Sequence, residues 1–285
     1  MNITFLYLQL IATTIFTAIA CCIPGTFLIL RGTSLISDAI SHAIFLGIVI
    51  SFLIFKQLYT PILFFGGTIT ALSTIWIIEY LIKTQKLKAD AVIGIIFPFL
   101  FSIGALLINL YAQNIHLDID AVLLGELAFS PFYQIIWSDI LIGSYALWTM
   151  GIILIFNLFA LWVLYKKLIL STFDPEFAQS CKYNVHKIHW ILMVLTCITI
   201  LAAFEATGAI LIISFIIIPP ATAYLVSKSI DHMILIGILI SILGSISGCL
   251  FANLAQTSIA GSITTVYSII FFLAYLYFIK AKRLY

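Results

Sequence analysis

Charge is scarce in this chain: 8% of its 285 residues are Asp, Glu, Lys or Arg, while 64% are hydrophobic. An ordinary globular domain carries about 25% charged residues, and a water-soluble fold could not hide this much apolar surface. Cysteine patterning is missing as well. Cys21, Cys22, Cys181, Cys197 and Cys249 lie mostly within apolar runs and show no Cys-x-x-Cys spacing, which argues against a disulfide framework and a zinc knuckle. No Gly-x4-Gly-Lys-Ser/Thr phosphate loop occurs, so the chain does not bind ATP in that manner and any pump role must draw energy from a partner. A His-Glu-x-x-His helix and a Gly-x-Ser-x-Gly elbow are also lacking, which weakens an intramembrane hydrolase reading. No cleavable signal is expected either, because the first apolar run continues from Phe5 to Leu30 and is long enough to span.

What the sequence has instead is a series of long apolar runs. A hydrocarbon core of about 30 Å needs roughly 20 helical residues at 1.5 Å each. Nine runs qualify: Phe5 to Leu30, Leu35 to Phe55, Pro61 to Ile82, Ala91 to Leu110, Ile135 to Leu164, Ile188 to Ala206, Ala209 to Val226, Met233 to Leu254 and Ile263 to Ile279. They are continuously apolar rather than alternating, which excludes transmembrane strands. The expected fold is all-α, a polytopic transmembrane bundle with a single domain over residues 1–285. Only Thr207 and Gly208 separate the sixth run from the seventh, and Pro219-Pro220 interrupts the seventh, so eight full spans and one partial helix is the alternative.

Lys and Arg collect on the cytoplasmic side of short loops. With the N-terminus outside, Arg31, Lys83, Lys86, Lys88, Lys166, Lys167, Lys182, Lys187, Lys228 and the C-terminal Lys280, Lys282 and Arg283 all fall inside, and Lys56 falls outside. The C-terminus is then cytoplasmic. Two loops are long: an external one from Ala112 to Gln134, with His116, Asp118, Asp120 and Glu126 but no Lys or Arg, and a cytoplasmic one from Lys166 to Lys187. In the latter, Asp174 before Pro175 and Glu176 has the form of a capped start to a short amphipathic helix, and Phe173 and Phe177 are spaced for an i, i+4 stripe.

An ionisable side chain inside a membrane helix costs about 2.5 to 3.5 kcal/mol on insertion scales and calls for a reason. Asp38 and His42 are spaced i, i+4, so a carboxylate and an imidazole stack on one face of the second helix, with Ser34 and Ser41 near by. Such a pair can share a divalent cation with further partners or water, or can satisfy itself between packed helices. Glu205, at the outer end of the sixth run, is a gate residue or passing ligand, or an interfacial carboxylate in water. Glu79 lies four residues before Lys83, a favourable helix pair that needs no further purpose. His186 and His189 flank the start of the sixth run, where an interfacial role is expected.

The stretch Arg31-Gly-Thr-Ser-Leu-Ile-Ser-Asp-Ala-Ile-Ser-His-Ala-Ile-Phe-Leu-Gly47 resembles a segment of the permease subunits of metal-ion ABC importers, the family serving manganese, iron and zinc. Asp90 to Ile95, Asp118 to Glu126, Phe173 to Ala178, and Gly208 through Pro219-Pro-Ala-Thr-Ala-Tyr224 agree in order with the same family. The resemblance implies a multi-pass protein of the bacterial plasma (inner) membrane that passes a divalent metal ion into the cytoplasm and is not itself an enzyme. It implies a cytoplasmic ATP-binding subunit, an extracytoplasmic metal-binding protein and a second permease copy or sister permease as partners, within a lipid bilayer and with no nucleic acid. The metal ion is cargo, with no cofactor bound permanently. Asp38 and His42 become the transport site, with Glu205 a weaker candidate, and Phe173, Asp174, Glu176 and Phe177 the segment that docks into the ATPase. The chain resembles the plain permease form without an appended regulatory domain, and Asp118 to Glu126 together with Phe204 to Gly208 resemble manganese or iron members more than zinc ones. A secondary cation transporter using Asp38, His42 and Glu205 as a relay is the competing reading. A metal-activated water between Asp38 and His42 would need ligands that one helix cannot supply.

Overall fold

A computed structural model describes residues 3–56, 60–84, 87–111, 127–137 and 140–282. The helices are α1 (Ile3–Leu30), α2 (Ile36–Phe55), α3 (Thr60–Lys83), α4 (Ala89–Tyr111), α5 (Tyr145–Phe173), α6 (Pro175–Ser180), α7 (Val185–Thr207), α8 (Ala209–Val226), α9 (Ile230–Ala255) and α10 (Ile259–Lys282). Among the described residues nine of these are long and apolar enough to cross a membrane. α1 is the central helix, packed against α5, α7, α8 and α9, while α2 packs between α3 and α4. α7 touches α1, α2, α3 and α5 and so joins the two groups. Buried Asn157 on α5 strengthens that junction, donating to the Ala20 carbonyl at 2.8 Å and to Thr199 Oγ1 at 2.9 Å. Such interhelical hydrogen bonds are the polar glue of helix packing in lipid.

Two expectations about the helices are corrected. The fifth span is not Ile135 to Leu164 but α5, Tyr145–Phe173, and the apolar residues before it form an antiparallel hairpin, β1 (Gln134–Trp137) with β2 (Ile140–Ser144). Ser144 then caps α5 by accepting from the Leu147 N–H at 3.3 Å. Consequently Lys166 to Phe173 is the last part of a long helix rather than loop. Nor does Pro219-Pro220 break the seventh span: α8 runs through both prolines, separated from α7 by Gly208 alone. Proline is tolerated in membrane helices where neighbours cover the freed backbone groups.

The turn from α1 to α2 aims the residues of interest. Gly32, at φ +65°, takes the left-handed position after α1 that favours glycine. Its N–H donates to the Ile29 carbonyl and that of Thr33 to the Leu28 carbonyl, both at 3.0 Å, the pairing of a Schellman stop. Arg31 is left as the C-cap, where positive charge favours the helix dipole.

Candidate transport site

Asp38 and His42 occupy the first two turns of α2, and His42 Nε2 lies 3.2 Å from Asp38 Oδ1. The pair is open to one side, with 29% of the Asp38 side chain and 17% of the His42 side chain exposed. α4 walls the imidazole: the Phe97 ring centroid is 4.5 Å away and tilted, and that of Phe101 is 5.4 Å away and edge-on. These aromatics remove water from the ring and limit its rotation. His42 Nδ1 is buried and has no hydrogen-bond partner, a costly state in an apolar setting. Ser41 is buried, and its hydroxyl donates to the Ser37 carbonyl at 2.9 Å, so it is engaged along its own helix rather than with the pair. Among the described residues no three His, Cys, Asp or Glu converge. The described residues of one chain thus offer one oxygen-bearing and one nitrogen-bearing ligand here, short of a full shell for a divalent ion.

Glu205 belongs to the last turn of α7, but its side chain lies outside the described residues, as do His116, Asp118, Asp120 and Glu126. Glu79 is not paired with Lys83. Its Oε1 lies 2.6 Å from His189 Nε2, and His189 Nδ1 lies 3.1 Å from Arg31 Nη1. Burial pushes the Arg31 guanidinium below its ordinary pKa, the direction expected when charge leaves water. The sequence suggests a helix pair with Lys83 for Glu79 and an interfacial role for His189, and no spacing signal joins the two, because they lie on different helices. His186 is exposed and accepts from Trp190 Nε1 at 3.1 Å.

The short helix appears where the Asp-Pro-Glu signature puts it. Asp174 caps α6, Oδ1 accepting from the Phe177 N–H at 2.9 Å, and Pro175 opens the first turn. Phe173 and Phe177 are both exposed, but Phe173 ends α5 while Phe177 belongs to α6, so they sit on either side of an elbow rather than in one helical stripe. Phe173 and Asp174 line a groove of about 540 Å³ with Leu30 at the end of α1 and Tyr224, Lys228 and Met233 around the α8–α9 turn.

The profile of the ABC 3 transport family matches residues 3–278. The manganese transport system membrane protein MntD of Bacillus subtilis is 34% identical over 268 residues, covering 94% of this chain and 90% of that protein. The zinc transport system membrane protein TroD of Treponema pallidum is 36% identical over 277 residues, covering 95% of this chain and 73% of that protein. Among solved structures, PsaBC from Streptococcus pneumoniae in complex with Fab superposes with a TM-score of 0.76 at 26% identity, over 94% of this chain and 90% of the other.

Proposed function

The chain belongs to the ABC 3 transport family and is the membrane permease of a metal-ion ABC importer, and from that premise we propose that Asp38 and His42 hold the ion in transit and that the ion is manganese. The observation that carries this reading is the open Asp38–His42 face inside an apolar helix, with a buried imidazole nitrogen left unpaired. An intramembrane carboxylate of this kind faces a bundle interior or a water-filled path. Since the described residues of one chain supply too few ligands, a second permease copy or a sister permease, with water, completes a weak shell around the ion. A weak shell suits a carrier, which must release what it holds. Glu205 serves as a passing ligand or gate at the far end of α7.

ATP is hydrolysed by a separate cytoplasmic subunit that docks on Phe173, Asp174, Glu176 and Phe177, and an extracytoplasmic metal-binding protein delivers the ion. The exposed Phe173 and Phe177 and the adjoining groove support this docking face, because they offer apolar area beside charge at an elbow between two helices. The permease is one domain over residues 1–285, in the bacterial plasma membrane with its N-terminus outside and C-terminus cytoplasmic, and it holds no permanent cofactor.

An oxygen and nitrogen site generally binds zinc more tightly than manganese, so selectivity must come from geometry and supply. The test is uptake by the assembled transporter given each divalent ion in turn. Manganese is expected to compete best; a strong preference for zinc with manganese ignored overturns the choice of ion.

A further inference from the structure

Arg31 fastens together two parts of the molecule that the proposed function keeps separate. Its Nε donates to Thr172 Oγ1 at 3.1 Å and its Nη2 to Ser171 Oγ at 2.9 Å, both in the last turn of α5, just before the Asp174 cap of α6. Each hydroxyl in turn donates to the Leu168 carbonyl, at 2.6 Å from Thr172 and 3.1 Å from Ser171, which leaves its lone pairs free for the guanidinium. The third arm, Nη1, donates to His189 Nδ1 on α7 at 3.1 Å. A guanidinium is a donor only, so Nδ1 is the bare nitrogen and Nε2 carries the proton that it gives to Glu79 Oε1 on α3 at 2.6 Å. The fork geometry of arginine fixes three partners in direction as well as distance.

On the other side, Arg31 is joined to the ion-bearing helix by a turn with little slack. The Schellman pair at Gly32 and Thr33 is followed at once by Ile36 N–H donating to the Thr33 carbonyl and Ser37 N–H to the Ser34 carbonyl, both at 3.1 Å. Asp38 comes next, within the first turn of α2. A displacement of the α5–α6 elbow is therefore transmitted through hydrogen-bonded backbone to the start of the Asp38–His42 face.

We propose that Arg31 and His189 are positioning residues that make the α5–α6 elbow and the first turn of α2 move as one piece, coupling motion of the ATPase-docking helix to the ion-holding face. This rests on the docking and transport-site assignments made above. If the same residues had a purely structural role, neutralising a half-buried cation with Glu79 through His189, replacing them would lower stability without altering the amount of metal moved per ATP.

The test uses the complete transporter in proteoliposomes, with its ATP-binding subunit, its extracytoplasmic metal-binding protein and manganese. ATPase subunit retained, ATP hydrolysed and manganese taken up are each measured for Arg31→Gln, His189→Gln, their double variant, and Ser171→Ala with Thr172→Val. The last leaves every charge in place and so remains informative if Arg31→Gln assembles poorly. The expected result is a retained, hydrolysing ATPase with manganese uptake per ATP lowered about tenfold, a size ordinary for coupling between sites. Arg31→Gln and His189→Gln together are expected to lose less than the sum of the two single losses, since the Arg31–His189 bond is removed by either one. Unchanged uptake per ATP in Ser171→Ala with Thr172→Val overturns the proposal, as does a loss of uptake that only follows the loss of assembled complex. Failure of the underlying assignments reads out separately, as normal uptake by Asp38→Asn with His42→Gln or undiminished ATPase docking by Phe177→Ala.

Discussion

Gly25 of α1 lies directly against the carbonyl of Ile216 on α8, the carbonyl that loses its helical donor because residue 220 is proline. A methyl group at Gly25 would collide with that carbonyl oxygen and with the backbone behind it. The glycine therefore does two things: it lets the two helices approach at backbone distance, and it places a Cα–H beside an otherwise orphaned acceptor. Gly25→Ala is expected to destabilise the α1–α8 contact by about 1 to 3 kcal/mol, the ordinary penalty of overpacking. Gly94→Ala is the control, because a Cβ there meets nothing within 4 Å. Thermal unfolding of the purified permease in detergent checks this: a lower midpoint for Gly25→Ala and an equal or slightly higher one for Gly94→Ala are expected, since Ala is the better helix former, and equal midpoints for the two variants would refute the account.

Long apolar runs made the spans legible, because hydropathy alone decides what can sit in hydrocarbon. The start of α5 was not legible. Ile135, Ile136, Trp137 and Ile140 are β-branched or aromatic, and a short apolar stretch of such residues suits a strand as well as a helix. The Asp174 cap could be read because capping is local, and the Asp38–His42 pair because i, i+4 is local. Glu79, His189, Arg31 and Ser171 could not be joined from sequence, since only tertiary packing brings α5 and α7 to the Arg31 guanidinium and α3 to the far side of His189.

Orientation is open to direct chemical test. Cys181 is exposed while Cys21, Cys22, Cys197 and Cys249 are buried, so Cys181→Ser gives a background with little labelling. On it, single cysteines at Lys86, Lys182 or Lys282 are expected to react with impermeant maleimide only from the cytoplasmic side, and one at Asp118 only from outside. The inside bias of Lys and Arg in short loops is the physical basis. Labelling at Lys182 from outside would invert the topology.

Docking is expected to depend on the cap of α6. Asp174→Ala removes the acceptor of the Phe177 N–H, a loss of about 1 kcal/mol, or roughly fivefold in the ratio of formed to unformed helix. Glu176→Lys reverses charge in the first turn and opposes the helix dipole. Phe177→Ala removes exposed apolar area without touching the cap. All three are expected to insert and fold normally while co-purifying with less ATP-binding subunit, Phe177→Ala least affected in helix content. Full ATP-driven uptake by all three would remove the docking role from this elbow.

The transport site separates coordination from packing most cleanly through near-isosteric exchange. Asp38→Ala and His42→Ala are each expected to abolish metal uptake with expression and complex assembly largely intact, but truncation beside Phe97 and Phe101 also opens space in the α2–α4 contact. Asp38→Asn with His42→Gln keeps volume and hydrogen bonding while removing the anion and the imidazole. If the pair served only to satisfy itself between helices, at 3.2 Å and partly exposed, the amides would replace it and uptake would stay normal. If the carboxylate and the ring nitrogen are ligands, a neutral amide oxygen offers a divalent ion far less than a carboxylate, and no ring nitrogen remains. The coordination reading therefore expects a transporter that assembles fully, hydrolyses ATP and moves no manganese, with uptake and ATP hydrolysis measured on the same proteoliposomes; normal uptake by the double variant would exclude it.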